Sequence, residues 1–227
     1  GYYAVELPEL GALVELTATA RVGVHRYTFR RTHSPHLWLD VANALGGKPS
    51  REANVRVLPE TGEVEGSVRT FGTFASRYGG VRVYFVARFD PPFATFRTWS
   101  GDAPSADSRQ GEGARVGADL GFAGTSPPVA VGLKLAISYV SIANARANLE
   151  AEAAGKSFDT VAAEARQAWE ERLARIELEG GTPEQRTIFY TALYRVFQMP
   201  TLFQDANGEF IGFDRQVHRA EGFRYYT

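Results

Sequence analysis

Residues 81–92 read Val81-Arg82-Val83-Tyr84-Phe85-Val86-Ala87-Arg88-Phe89-Asp90-Pro91-Pro92. Val81, Val83, Phe85, Ala87 and Phe89 alternate with Arg82, Tyr84, Val86, Arg88 and Asp90, a period of two that puts one set on each side of an extended chain. Two prolines end the run, because a prolyl nitrogen has no hydrogen to give a neighbouring strand. The stretch is predicted to be a half-buried β-strand, and the flanking sequence repeats its pattern. Upstream, Val14, Leu16 and Ala18 alternate with Glu15, Thr17 and Thr19, and Gly23, His25, Tyr27 and Phe29 alternate with Val24, Arg26 and Thr28. Downstream, Val129, Val131, Leu133, Leu135, Ile137 and Tyr139 line a further long strand. Pro8-Glu9-Leu10-Gly11 and Glu60-Thr61-Gly62-Glu63 carry hairpin-turn residues. Many strands at short spacing, with little helix between them, predict an antiparallel β-sandwich over residues 1–142.

The period changes after Ser141. Ile142 to Ala154 is rich in Ala, Asn and Glu, and Phe158 to Leu178 puts Val161, Ala165, Trp169, Leu173 and Ile176 on one helical stripe. Residues 143–180 are therefore expected to be linker helices. Thr182-Pro183-Glu184-Gln185 opens a third helix, with an N-cap Thr, Pro at the first helical position and Gln three residues after the cap. Its expected buried face is Ile188, Phe189, Ala192, Leu193, Val196 and Phe197, and Pro200 ends it. Asp205-Ala206-Asn207-Gly208 is a turn between short extended pieces. A helix that needs partners, close to the last residue, implies that residues 181–227 begin a second domain. The opening Gly1-Tyr2-Tyr3-Ala4-Val5-Glu6-Leu7 already alternates, so earlier strands of the sandwich are expected upstream.

Composition narrows the function. The chain has 227 residues, 44% of them hydrophobic, enough for a real core. Lys plus Arg number 25 against 26 for Asp plus Glu, so no global positive field exists to hold nucleic acid. The longest apolar stretch, Val129 to Ala143, contains Lys134 and Ser138 and is shorter than the roughly 20 residues of a membrane span. With 0 Cys, disulfides, thiolate nucleophiles and Cys-ligated zinc are excluded.

No motif makes an active site within the chain. Gly111, Gly113 and Gly117 imitate a dinucleotide loop but lack a surrounding parallel βαβ unit, which favours a surface loop. His25, His33 and His36 are a conceivable three-imidazole metal site without an accompanying carboxylate at ligand spacing. Asp205, Asp214 and His218 could be forced into a triad with Ser141 or Ser157, yet both serines are explained as helix N-caps. Glu170 and Glu171 alternate with Arg166, Arg172 and Arg175 as ordinary helix-surface charge. Trp38 and Trp99 could stack on a sugar ring, although aromatic residues in a sandwich more often fill its core.

Several strings resemble glycoside hydrolase family 92, the calcium-dependent exo-α-mannosidases. They are Val14-Glu15-Leu16-Thr17-Ala18-Thr19, Gly23-Val24-His25-Arg26-Tyr27-Thr28-Phe29 and Ser141-Ile142-Ala143-Asn144-Ala145-Arg146-Ala147-Asn148-Leu149-Glu150. They continue in Glu184-Gln185-Arg186-Thr187-Ile188-Phe189-Tyr190-Thr191-Ala192-Leu193-Tyr194, Gly212-Phe213-Asp214 and Tyr225-Tyr226-Thr227. The resemblance implies a mostly β N-terminal sandwich, linker helices and the beginning of a helical (α/α)6 barrel. It implies inverting removal of terminal α-linked mannose from mannosides or N-glycans. One carboxyl would protonate the leaving oxygen while another, roughly 6.5–9.5 Å away, activates water. The family's catalytic acid, base and calcium ligands match positions beyond Thr227, so the resemblance assigns no catalytic, cofactor-binding or metal-binding residue here. This chain alone is accordingly expected to be inactive. It also implies a mannose-containing glycan and the barrel domain as partners, and a bacterial, secreted, periplasmic or cell-surface setting. The alternatives are another (α/α)6-barrel glycosidase or phosphorylase, or a non-catalytic carbohydrate-binding or structural sandwich.

Overall fold

A computed structural model describes the whole chain except residues 45–48, 73, 74, 102 and 107. Twelve strands build the first part: β1 Tyr2–Leu7, β2 Ala12–Ala18, β3 Val22–Phe29, β4 His36–Asp40, β5 Arg51–Leu58 and β6 Glu63–Thr70, then β7 Val81–Asp90, β8 Thr95–Ser100, β9 Ala103–Ala106, β10 Gln110–Gly113, β11 Val116–Gly121 and β12 Val129–Ser138. Eight form a large sheet in the order β1-β2-β3-β12-β7-β6-β5-β10, and four form a smaller one, β4-β11-β8-β9. The pairings are antiparallel. Both predicted turns are tight: Gly11 and Gly62 have φ of 59° and 64°, a region that suits a residue without Cβ.

The alternation read from the sequence divides the side chains between two cores. Phe85, Ala87 and Phe89 of β7 face the smaller sheet with Val131, Leu133, Val55, Val57, Val64, Val116, Ala118 and Leu120. The opposite side of the large sheet was expected to be only half covered, yet Val86 is fully buried there with Val22, Val24 and Ala136. The cover is helical. Helix α1, Ile142–Ala153, and helix α2, Phe158–Leu173, lay Ala145, Leu149, Ala153 and Val161 on that face. Burial of Leu149 and of Val161 stabilises the fold by about 1.5–3 kcal/mol each.

The helix starts follow their caps. Ser141, Ser157 and Thr182 each accept a bond from the backbone N–H three residues later, and Thr182 and Gln185 complete a capping box. Lys134 closes the far end of α1, its Nζ donating to the carbonyls of Ala153 (2.8 Å) and Lys156 (2.7 Å), where the helix dipole is negative. Helix α2 ends at Leu173 rather than Leu178, which leaves Ile176 exposed beyond the stripe. Helix α3 spans Pro183–Val196. The expected burial of Ile188, Phe189, Ala192, Leu193, Val196 and Phe197 is not found within this chain, for none of the residues of α3 is buried. A short hairpin, β13 Glu209–Ile211 with β14 Val217–Arg219, follows.

Candidate interdomain node and surfaces

The segment after α3 returns to the sandwich and is fastened there by a buried carboxylate. Asp205, 4% exposed, accepts bonds from Ser138 Oγ (2.7 Å), Asn144 Nδ2 (2.8 Å) and Asn148 Nδ2 (2.7 Å). Asn148 also donates to the Ile137 carbonyl and accepts from the Ala206 backbone (both 2.8 Å). The second amide hydrogen of Asn144 goes to Glu209 (2.8 Å), which with Asn207 holds that carboxyl below the usual carboxylate range. A buried anion is tolerated when its lone pairs meet donors, and here three side chains supply them. Beside this node Tyr139 stacks on Phe203 (centroids 4.2 Å apart), and Phe210 stacks on Tyr225 (3.9 Å).

A second polar seam joins α1 to the large sheet. Arg146 pairs with Glu63 and Glu65, and Arg88 pairs with Glu63 and Glu150. Burial pushes the Glu63 carboxyl up, but donation from both arginines outweighs it and leaves the group below its ordinary value. On the other flank Arg26 clamps Glu15 through Nε and Nη2, reaches Asp159 of α2, and lies over the Phe158 ring. These bonds position helices, and each carboxyl in them accepts from at least one arginine.

Helix α3 makes a looser surface. It rests on α2 through Trp169 and Tyr194 (centroids 4.5 Å apart), and Tyr190 donates to the Ile176 carbonyl (3.2 Å). Ile188 and Val196 on it and Met199 just after it stand exposed, and Phe213, Val217 and Phe223 on and after the hairpin are exposed too. A run of exposed large apolar side chains marks a face built to be covered.

The outer face of the smaller sheet is the third surface. Asp119 lies opposite Trp38 on one neighbour and Arg97 on the other. Its carboxylate accepts from His36 Nδ1 (2.8 Å) and Arg97 Nε (2.7 Å). Gly117 and Gly121 flank it on β11, and the Trp99 ring covers Gly117 so closely that a Cβ there would come within 2.2 Å of Cζ2. Trp38 stands against Trp99 with ring centroids 5.9 Å apart and is 74% exposed. The expectation that these tryptophans fill the core is therefore wrong for both, because their register puts them on the outward face, Trp38 exposed and Trp99 half-buried.

The residues weighed from sequence do not converge. His25 bonds Tyr27 (2.7 Å) and is held below its normal pKa by burial, while His36 is committed to Asp119. Among the described residues there is no group of three His, Cys, Asp or Glu able to hold a metal ion. Asp214 pairs with His218 (2.9 Å) on the exposed hairpin, far in role from Asp205 in its buried node. Ser141 and Ser157 are spent as caps, and Glu171 accepts from Gln167. Gly111 and Gly113 lie on β10 and Gly117 on β11, so they form no phosphate loop. The sequence reading missed Asn144 and Asn148. Two amides four apart on the apolar side of a helix are the signal that could have found them.

Residues 1–138 match the glycosyl hydrolase family 92 N-terminal domain, and residues 144–227 match the glycosyl hydrolase family 92 catalytic domain. No curated protein sequence matches. Among solved structures, a family GH92 α-mannosidase from Bacteroides thetaiotaomicron in complex with mannoimidazole superposes with a TM-score of 0.88 at 29% identity, covering 100% of this chain and 30% of its own. A second GH92 enzyme, of 31% identity, gives a TM-score of 0.85 over 95% of this chain and 28% of its own. A GH92 inverting mannosidase from the same Bacteroides species gives 0.87 at 25% identity, over 100% and 29%. The chain thus spans less than a third of the length of the enzymes it resembles. With both domain models matched in sequence order and the whole chain superposed on a solved family member, this chain belongs to glycosyl hydrolase family 92.

Proposed function

We propose that the chain is the N-terminal part of an exo-α-mannosidase, removing terminal α-linked mannose from mannosides or N-glycans with inversion and with calcium. The observation that carries this reading is the superposition of the entire chain, sandwich, linker helices and α3 together, on mannosidases. Residues 1–142 act as the sandwich, 143–180 as linker helices and 181–227 as the start of the (α/α)6 barrel. The exposed side of α3 supports this division, since a barrel helix buries that face only against its neighbours.

Calcium takes six to eight oxygen ligands, and the described residues do not fit it: no three of their carboxylates and imidazoles gather at one point, and Glu63, Glu15 and Asp205 have their oxygens engaged by arginine or amide donors. The acid, the base and the metal ligands belong to the family's barrel, so this segment contributes position rather than proton transfer. Its node at Asp205 and its seam at Arg146 would hold the first barrel helix in a fixed place on the sandwich. Export to the periplasm or cell surface is part of the same proposal; no helix of the described residues is long and apolar enough to cross a membrane.

The test is mannose release from α-1,2- and α-1,3-linked mannobiose by the full-length protein, with calcium and then with chelator, the product anomer read by NMR. Release of β-mannose that stops on chelation is expected. Retention of configuration, indifference to chelator or a requirement for phosphate would each overturn the reading.

A further inference from the structure

The tryptophan face of the smaller sheet lies on the side of the sandwich opposite α1 and α2, away from the Asp205 node and the Arg146 seam. Its composition is unusual for bare surface. A tryptophan that is 74% exposed leaves most of an indole in water, where a smaller polar residue would serve a sheet equally well. Around it the polar groups are arranged rather than scattered. Both Asp119 oxygens are used, one by His36 and one by Arg97, and this fixes two half-exposed donors beside the rings. The glycines of β11 keep the floor low, so Trp99 lies across Gly117 and Trp38 rises next to it.

That combination suits one ligand chemistry. A hexopyranose offers a patch of C–H groups to an aromatic face and a rim of hydroxyls to neighbouring donors and acceptors. The charges of Arg97 and Asp119 cancel across the register, which favours an uncharged ligand over a polyanion. We propose that Trp38 and Trp99, framed by Arg97, His36 and Asp119, bind neutral hexopyranose chains on the surface of the sandwich, in addition to any hydrolysis carried out by the parent enzyme.

Affinity electrophoresis of the full-length protein in gels containing α-mannan, and in others containing a soluble β-glucan, tests this directly. Retardation in at least one polysaccharide is expected, weakened about tenfold by Trp38→Ala, the size of loss typical of an aromatic anchor. Trp38→Phe should restore part of it, because it returns an aromatic face without the full indole. Circular dichroism of Trp38→Ala should match the parent, since the side chain is exposed. Two results would overturn the proposal: no retardation in either gel, or retardation indifferent to Trp38→Ala. Sedimentation that reveals a Trp38-dependent dimer without sugar binding would also overturn it and give the face to a second copy. These outcomes are independent of the mannosidase assay, so either conclusion can fail alone.

Discussion

Asp205 and Asp214 look alike in sequence, and the structure makes opposite predictions for them. Removing the Asp205 carboxylate by Asp205→Ala orphans the donors on Ser138, Asn144 and Asn148, all within 2.8 Å of it. Each buried donor without a partner costs about 1–3 kcal/mol. Shared partners make these terms less than additive, so a total of about 3–6 kcal/mol is expected. Asp205→Asn fills the space but brings an amide N–H₂ against at least one of the same donors. Asn148 cannot relieve this by turning its own amide, because its Oδ1 already accepts from Ala206. A loss of about 2–4 kcal/mol follows for that variant. Asp214→Ala, on an exposed hairpin, should cost less than about 1 kcal/mol. For a protein of this size each kcal/mol moves the melting temperature by about 2–4 °C. Thermal unfolding followed by circular dichroism should therefore place Asp205→Ala at least about 6 °C below the parent, with Asp214→Ala within about 4 °C of it. Equal small shifts for the two alanine variants would refute the claim that Asp205 is the fastening point.

Two further substitutions probe the helical cover of the large sheet. Leu149→Ala, at a fully buried position between α1 and the strands, should cost about 2–5 kcal/mol in urea unfolding, the range for deleting a buried leucine. Glu63 has a lowered carboxyl pKa, so its stabilising effect is complete above its ordinary value of 4.5 and is lost as pH falls through the lowered one. Glu63→Gln should thus be less stable at neutral pH and show a flatter acid limb in a pH series of melting curves; an unchanged limb would show that Arg88 and Arg146 do not act through this group.

The strands were legible because a period of two survives whatever covers the sheet. What alternation does not reveal is how many layers there are. Val24 and Val86 read as members of the outward set, and they are buried because α1 and α2 lie over them. The helix starts were legible for a local reason, since Ser141, Ser157 and Thr182 act on backbone groups three residues away. Trp38 was misread because His36-Leu37-Trp38-Leu39-Asp40 has apolar residues on both sides of the strand. Only pairing with β11 decides the matter: Leu37 and Leu39 pack against the inner core, and Trp38 sits beside Asp119. Asp205 was invisible as a node because its partners lie 57 to 67 residues earlier in the chain.

Burial and side-chain bonding are distributed unevenly along the chain. Both faces of the large sheet are covered at its centre, one by the smaller sheet and one by α1 and α2. Segments on either side of α3 are also held: α2 by Val161 in the helical core, and residues 203–210 by Asp205 and two aromatic stacks. Helix α3 between them touches α2 through Tyr190 and Tyr194 while its own apolar side stays open. The polar seam at Arg146, Glu63 and Glu65 holds α1 on the large sheet, because paired charges buried under a helix penalise any sliding that would separate them. Removing the Asp205 node should accordingly loosen the placement of α3 before it unfolds the sheets, which are built from cores that Asp205 does not enter.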